Sequence, residues 1–119
     1  MRLSLVTAVA SMLTVTYAAC ASTIVPAAPV TTHAGVRFVF ERAGARSVSL
    51  AGSFNRWSLS SHPLVRQNER GLWAIVVPLE RGEHTFMYVV NGTEWVSPPL
   101  AEDYVDDGFG ARNGIVVVR

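Results

Sequence analysis

The stretch from residue 84 to residue 92 reads His84-Thr-Phe-Met-Tyr-Val-Val-Asn-Gly92 and decides the fold class of this chain. Its aromatic and β-branched residues alternate with a period of two, which is typical of a β-strand with two different faces. The face expected to point into a core consists of Phe86, Tyr88 and Val90. Asn91 and Gly92 tolerate the positive φ angles of a type I′ turn. The sequence therefore predicts a β-hairpin whose return strand is 93–96.

The remainder of the region from residue 33 to residue 119 is also rich in short strand patterns. Such patterns lie at 36–41, 46–50, 72–79 and 115–118, with turn signals at Ala43-Gly44, Arg81-Gly82 and Asp107-Gly108. Trp73 shares one apolar face with Ile75, Val77 and Leu79, so we expect it in the core. Because the strands recur roughly ten residues apart without a convincing helix, the sequence predicts an all-β sandwich or barrel.

Length and composition exclude several classes of protein. The chain has 119 residues, a formal net charge of +1 and one cysteine; 50% of its residues are hydrophobic and 16% charged. It is long enough for one domain and too apolar to be disordered throughout. One cysteine allows neither an internal disulfide framework nor a structural zinc site of the Cys/His type. A charge near zero argues against nucleic-acid binding by neutralisation of many phosphates.

The N-terminal region resembles an export signal. After Met1 and Arg2, residues 3–19 carry no charge but include several Ser and Thr residues, so they suit a secretory signal peptide (1–19) better than a membrane span. Ala18-Ala19-Cys20 resembles a bacterial lipobox, which predicts lipidation of the Cys20 thiol, although Tyr17 stands where an aliphatic residue is usual. The alternatives are ordinary cleavage after Ala19 or after Ala21, and an uncleaved anchor.

The segment 20–32 is predicted to be a tether, lipid-anchored or flexible, between this signal and a folded domain at 33–119. Pro26 and Pro29 favour an extended chain that does not pack. We therefore expect an exported protein of the cell envelope, anchored by lipid and facing the periplasm or on the outer membrane. The alternative location is secreted or periplasmic. Contact with a membrane is expected only through the N-terminal lipid.

Two tryptophans outside the predicted core are candidate ligand contacts. Trp57 follows Gly52-Ser-Phe-Asn-Arg56 in a loop, and Trp95 lies just beyond the Asn91-Gly92 turn. An exposed indole face stacks well against the CH groups of a sugar ring. From the residues alone, Trp57 is either such a platform or a core side chain, and Trp95 is either a second platform or part of the packed face of the hairpin.

A longer set of motifs resembles one known family. The set is Val48-Ser-Leu-Ala-Gly-Ser-Phe-Asn-Arg-Trp57, Pro63-Leu64, Gly71-Leu-Trp73, Arg81-Gly-Glu-His84, Tyr88-Val-Val-Asn-Gly92, Trp95 and Asn113-Gly-Ile-Val. It is similar to the glycogen-binding domain of the AMP-activated protein kinase beta subunit, a family 48 carbohydrate-binding module also found beside branching and debranching enzymes. The resemblance implies an early-set, immunoglobulin-like β-sandwich of about seven short strands.

The resemblance also implies a binding site for an α-glucan. The sugar-stacking tryptophans of the family fall on Trp57 and Trp95, and its hydroxyl-binding asparagine falls on Asn113. The apolar residue that inserts into a curved glucan falls near Phe109.

Two positions depart from this family pattern. Met87 stands where the family has a lysine, and Ala111 where it has a threonine beside the asparagine. Strand alternation directs Met87 to the outer surface, where we expect it to be exposed and to pack on a sugar, because a thioether is soft and adaptable. Arg56 and Glu94 flank the platforms, either reaching sugar hydroxyls or simply solvated.

The resulting prediction is a non-catalytic module that binds an α-glucan or a related polysaccharide and needs no cofactor or metal. The alternative is a module that binds an envelope protein through the same aromatic surface, since aromatic residues and Met are favoured at interfaces. Catalysis is a weak reading, because the carboxylates of Glu102-Asp103 and Asp106-Asp107 are neighbours on a loop rather than a pair across a cleft. A calcium site at these acids is a further minor alternative.

Overall fold

The computed structural model describes Ser11 and residues 24–119, which form a sandwich of two antiparallel sheets. Sheet 1 has the order β1-β2-β5-β4, and sheet 2 the order β3-β6-β9-β8, with β7 also paired to β6. The nine strands of the described region are β1 Val30–Thr32, β2 Gly35–Glu41, β3 Val48–Gly52, β4 Val65–Arg66, β5 Leu72–Val77, β6 Gly82–Val90, β7 Glu94–Val96, β8 Asp103–Asp106 and β9 Arg112–Val118. The all-β sandwich predicted from the sequence is confirmed, with two strands more than the expected seven.

The core between the sheets is formed by the inward faces that the sequence predicts. Phe86, Tyr88 and Val90 of β6 pack there with Phe38 and Trp73. The rings of Phe38 and Phe86 meet edge to face, with centroids 5.0 Å apart. Trp73 is 6% exposed, as its periodicity predicts. These large buried rings supply much of the apolar area that stabilises so small a domain.

Tyr88 carries a polar group into this core. Its ring stacks on Phe40 with centroids 4.4 Å apart, and within the described region its hydroxyl has no hydrogen-bond partner. Burial, followed by the charge of Tyr104, raises the pKa of Tyr88. The hydroxyl is therefore neutral over the physiological range of pH.

The long central strand β6 organises sheet 2. One of its edges pairs with β3, from Val48↔Val90 to Gly52↔Phe86. Along the other edge, the first half of β6 pairs with β9, and the last three residues of β6 pair with β7. Consequently β7 and the start of β9 meet beside the middle of β6, and their outward residues share one surface.

The folded region extends further towards the N-terminus than position 33. Strand β1 lies within the predicted tether and pairs with β2, so the hairpin spans the expected boundary. Ile24 also packs on the outer face of sheet 1, against Val39, Leu72 and Ala74. Cys20 and the predicted signal peptide lie outside the described residues, apart from Ser11. Within the described part of the chain, no helix is long and apolar enough to span a bilayer.

Candidate functional site

The outer face of sheet 2 carries three of the five residues predicted to contact a ligand. Met87 alternates with the core residues of β6 and therefore points outward. The β6–β9 ladder ends at Phe86↔Gly114, so the next residue of β9, Asn113, lies beside Met87. Trp95 of β7 pairs with Val89, two residues from Met87 on the same face. Antiparallel pairing thus brings residues that are distant in sequence onto one surface.

Trp95 is directed outward because the hairpin loop has three residues. Asn91 and Gly92 have the positive φ angles expected of the turn, 53° and 76°, and the Thr93 amide donates a 3.2 Å hydrogen bond to the Val90 carbonyl. Pairing then resumes at Val90↔Glu94 rather than at Val90↔Thr93. If Thr93 instead paired with Val90, the loop would have two residues and Trp95 would lie opposite Tyr88, on the core face. The reason is that a shift of one residue exchanges the two faces of a strand.

A sharp turn after β3 presents Trp57. A one-turn 3₁₀ helix, Ser53–Asn55, follows the strand, and Arg56 and Trp57 then adopt positive φ angles of 55° and 59°. The Trp57 amide donates a 2.9 Å hydrogen bond back to the Gly52 carbonyl. Left-handed backbone costs a residue with a side chain about 1–2 kcal/mol. Two such residues in succession indicate that neighbouring contacts hold the turn in place.

Asn55 supplies those contacts, a role that was not predicted from the sequence. Its Oδ1 accepts hydrogen bonds from the amides of Gly52 at 3.0 Å and Ser58 at 3.2 Å. Its Nδ2 donates to the Leu50 carbonyl and to Nδ1 of His62, each at 2.9 Å. The available signal was an Asn three residues beyond a Gly, since Asn side chains often bond the backbone of turns.

Gly52 is required at the start of the same turn. A Cβ atom there would lie 2.5 Å from both the Phe54 ring and the Thr85 carbonyl oxygen. Phe54 consequently packs over Gly52 and against the core cluster. This close approach fixes where the backbone leaves β3 and so where the turn that carries Trp57 begins.

Phe109 lies at the tip of the loop between β8 and β9 and is 94% exposed. Oδ1 of Asp107 accepts hydrogen bonds from the amides of Phe109 at 2.7 Å and Ala111 at 3.1 Å. The Asp107 amide donates in turn to the Ala111 carbonyl at 3.0 Å. Gly108 and Gly110 provide the positive φ angles, 85° and 89°, that so tight a loop needs. The loop therefore holds an aromatic ring out into solvent.

These elements together line an open cavity of about 560 Å³, a volume within the range of small-molecule sites. Its lining residues are Trp57, Met87, Trp95, Asp107, Phe109, Ala111 and Asn113. The structure thus places all five residues predicted as ligand contacts around one cavity. Asp107 is an addition, because the sequence pointed to it only as one of the acids of a possible catalytic or calcium site.

Met87 differs from expectation in its exposure. The sequence predicts an exposed methionine, whereas Met87 is only 6% exposed. It lies on a central strand, with Ala51 of β3 opposite it, so neighbouring strands shield its flanks. Met87 therefore forms the floor of the cavity, while Trp95, which is 45% exposed, and Phe109 form its projecting parts.

Several charged residues on or beside sheet 2 are engaged with other protein groups. Glu94 accepts a hydrogen bond from Nη2 of Arg42, and this bond, followed by charge attraction, raises the pKa of Arg42. Oε1 of Glu102 pairs with Arg119 at 2.9 Å, and Oδ1 of Asp103 accepts from the Tyr104 amide. Within the described residues, His, Cys, Asp and Glu side chains form no group of three or more able to hold a metal ion.

The chain matches the model of one known protein family. A family model described as the glycogen recognition site of AMP-activated protein kinase matches residues 35–119, from β2 to β9. The chain belongs to this family. The glycogen recognition family is a carbohydrate-binding module and is not catalytic in itself, and its match includes every residue that lines the cavity.

Similar proteins include several named 1,4-alpha-glucan branching enzyme GlgB. The protein from Bacillus caldolyticus is 41% identical over 56 residues, which are 47% of this chain and 8% of the enzyme. That from Pseudomonas syringae pv. syringae is 36% identical over 64 residues, 54% of this chain and 9% of the enzyme. That from Novosphingobium aromaticivorans is 37% identical over 70 residues, 58% of this chain and 10% of the enzyme. The chain thus matches a tenth or less of each enzyme.

Proposed function

We propose that this chain binds an α-1,4-glucan of the glycogen or starch type in the open cavity and has no catalytic activity of its own. One observation carries the proposal: Trp57, Trp95 and Asn113, which come from three separate elements, line the same cavity. Membership of the glycogen recognition family supports a polysaccharide as the ligand.

The binding mode follows from the chemistry of the lining. Flat indole faces attract the polarised CH groups of glucose rings, and the gain grows with the apolar area covered. Trp57 and Trp95 would each stack one ring, with Met87 filling the floor between them. The Asn113 amide both donates and accepts hydrogen bonds, so it is suited to orienting sugar hydroxyls. Phe109 would pack against the apolar inner side of a curved glucan.

The test is retardation of the full chain in native gels that contain glycogen or amylose, followed by calorimetry with maltoheptaose. We expect Trp57→Ala and Trp95→Ala to weaken binding by about tenfold each, because each removes one stacking surface. Val65→Ala is the control, since it removes an exposed apolar side chain from β4 in sheet 1. Unchanged retardation of the folded double variant would contradict the proposal.

A second candidate function is binding of an envelope protein through the same surface. The observation in its favour is the exposure of Phe109 at 94% and Trp95 at 45%, since such adjoining apolar groups are common in protein interfaces. A protein-binding module would show no retardation by glucan. If the partner were a second copy of the chain, tryptophan fluorescence would change with protein concentration.

We further propose that the chain is exported and anchored by lipid on Cys20. The support is the uncharged segment 3–19 followed by Ala18-Ala19-Cys20. The packing of Ile24 on the outer face of sheet 1 is compatible with this proposal. An anchor leading from that side would leave the cavity, on the outer face of sheet 2, free for a ligand.

Mass spectrometry of the N-terminal peptide after expression in a bacterial host tests the anchor. We expect a diacylated or triacylated Cys20 in the membrane fraction and release of the Cys20→Ala variant, with Ser22→Ala as the matched control. Ordinary cleavage after Ala19 or Ala21 would instead give an unmodified soluble protein.

A further inference from the structure

We propose that Asp107 makes the cavity selective for uncharged glucans by repelling ligands that carry phosphate or carboxylate groups. This inference rests on the proposed function of glucan binding. Six of the described lining residues are uncharged: Trp57, Met87, Trp95, Phe109, Ala111 and Asn113. Asp107 is the one charged residue among those that line the cavity in the described region, so it supplies the charge at the cavity wall.

The carboxylate of Asp107 is held in place. Its Oδ1 accepts two backbone hydrogen bonds, from Phe109 at 2.7 Å and Ala111 at 3.1 Å. These bonds fix the side chain within the loop, so that its charge cannot turn away when a ligand enters. The two salt bridges of the described region are Arg42 with Glu94 and Arg119 with Glu102, and neither of them neutralises Asp107.

The nearest acidic neighbour in sequence points elsewhere. Asp106 pairs with Arg112 in the β8–β9 ladder, whereas the following pair, Val105↔Asn113, lies on the cavity face. Successive strand residues point to opposite faces, so Asp106 is directed away from the cavity. Arg112, which pairs with Asp106, is directed the same way, and its guanidinium lies 4.6 Å from the centroid of the Tyr104 ring. Neither Asp106 nor Arg112 is therefore among the residues that line the cavity, where the charge comes from Asp107.

The expected discrimination is moderate. A neutral sugar gains from a carboxylate, because its hydroxyls donate hydrogen bonds to the acceptor. A phosphate or carboxylate on the sugar is repelled, and at a separation of about 5 Å in a hydrated site the repulsion weakens binding by about three- to tenfold. Salt screens charges in an open cavity, so this discrimination should decrease at high ionic strength.

The experiment measures the affinity of the full chain for maltoheptaose and for maltoheptaose that carries a single 6-phosphate. Asp107→Asn keeps the Oδ1 acceptor of the loop and removes only the charge. We expect the ratio of the affinity for the phosphorylated sugar to the affinity for maltoheptaose to rise about three- to tenfold in this variant. Raising the salt from about 0.05 M to about 1 M should produce the same change in the unmodified chain. Asp106→Asn, the matched control, should alter neither affinity.

The outcomes separate this inference from the proposed function. If the unmodified chain binds maltoheptaose but Asp107→Asn leaves the preference unchanged, the charge inference is overturned and glucan binding stands. An equal effect of Asp106→Asn would also overturn it, because the effect would then come from general acidity. If Asp107→Asn fails to fold, the salt dependence of the unmodified chain decides. If that chain does not bind maltoheptaose, both proposals fail.

Discussion

Two side chains hold the backbone beside two aromatic residues of the cavity in the same way. Oδ1 of Asn55 accepts two backbone amides in the Trp57 turn, and Oδ1 of Asp107 does so in the Phe109 loop. Each oxygen satisfies donors that the irregular backbone would otherwise leave unpaired. The backbone that carries each aromatic residue is thus held in advance, which lowers the entropic cost of binding a ligand.

Replacement of Asn55 by Ala tests this positioning. The variant loses hydrogen bonds to four groups, so we expect its free energy of unfolding to fall by about 1–3 kcal/mol. Affinity for maltoheptaose should fall about threefold or more, because Trp57 is no longer held in its left-handed conformation. Urea denaturation and calorimetry measure the two effects.

Asn68→Ala is the control for this variant. Oδ1 of Asn68 also accepts two backbone amides, from Arg70 and Leu72, but in the turn before β5. The Asn68→Ala variant should therefore have a lower free energy of unfolding but an unchanged affinity for maltoheptaose. Equal loss of affinity in both variants would show that general destabilisation, and not the Trp57 turn, explains the effect.

Among the elements, the hairpin of β6 and β7 depends on a single residue of register. The Asn91-Gly92 turn is apparent in the sequence, but the predicted return strand, 93–96, would resume pairing at Thr93. The structure resumes it at Glu94. Trp95 is therefore on the cavity face with Val89, rather than on the core face with Tyr88.

Deletion of Thr93 tests this account of the hairpin. The remaining Asn91-Gly92 forms a two-residue type I′ loop, and Val90↔Glu94 pairing is preserved. Trp95 then stays opposite Val89, and we expect affinity for maltoheptaose within about twofold of the unmodified chain. Calorimetry measures the affinity of this deletion variant for maltoheptaose in parallel with that of Trp95→Ala. A loss as large as that of Trp95→Ala would mean that Thr93 itself contributes to the site.

At the scale of the whole molecule, the two outer faces of the sandwich differ in what covers them. The outer face of sheet 2 carries the cavity, whereas that of sheet 1 is partly covered by the chain before β1. Ile24 packs there on Val39, Leu72 and Ala74. The sandwich is thus stabilised by apolar contacts on both sides of sheet 1, and the cavity face remains open.

Ile24→Ser tests the contribution of this N-terminal contact. Ile24 is half-buried, so we expect the free energy of unfolding to fall by about 1 kcal/mol. Val25→Ser is the matched control, because Val25 is 58% exposed and its replacement should have little effect. Both variants should bind maltoheptaose as the unmodified chain does. Equal destabilisation by the two, measured in urea, would contradict a specific role of Ile24.

The local patterns of the sequence were sufficient to predict much of the fold. The alternation in β5 and β6 correctly assigned Trp73, Phe86 and Tyr88 to the core, and Asn91-Gly92 marked the turn. The short strands β1, β4 and β8 were not predicted. They have two to four residues each, and such short segments form strands through pairing with a neighbour more than through their own periodicity.

The sequence by itself determined the two-faced strands, the tight turns and the residue types available for a ligand, since these depend on neighbours a few positions apart. The tertiary structure decided which residues share a surface. The outward direction of Trp95 and the burial of Met87 at 6% exposure depend on the pairing of β6 with β3, β7 and β9. The entry of Asp107 into the cavity depends on the pairing of β8 with β9. Such pairing joins residues far apart in the chain, and a shift of one residue exchanges the faces of a strand, so local patterns do not fix it.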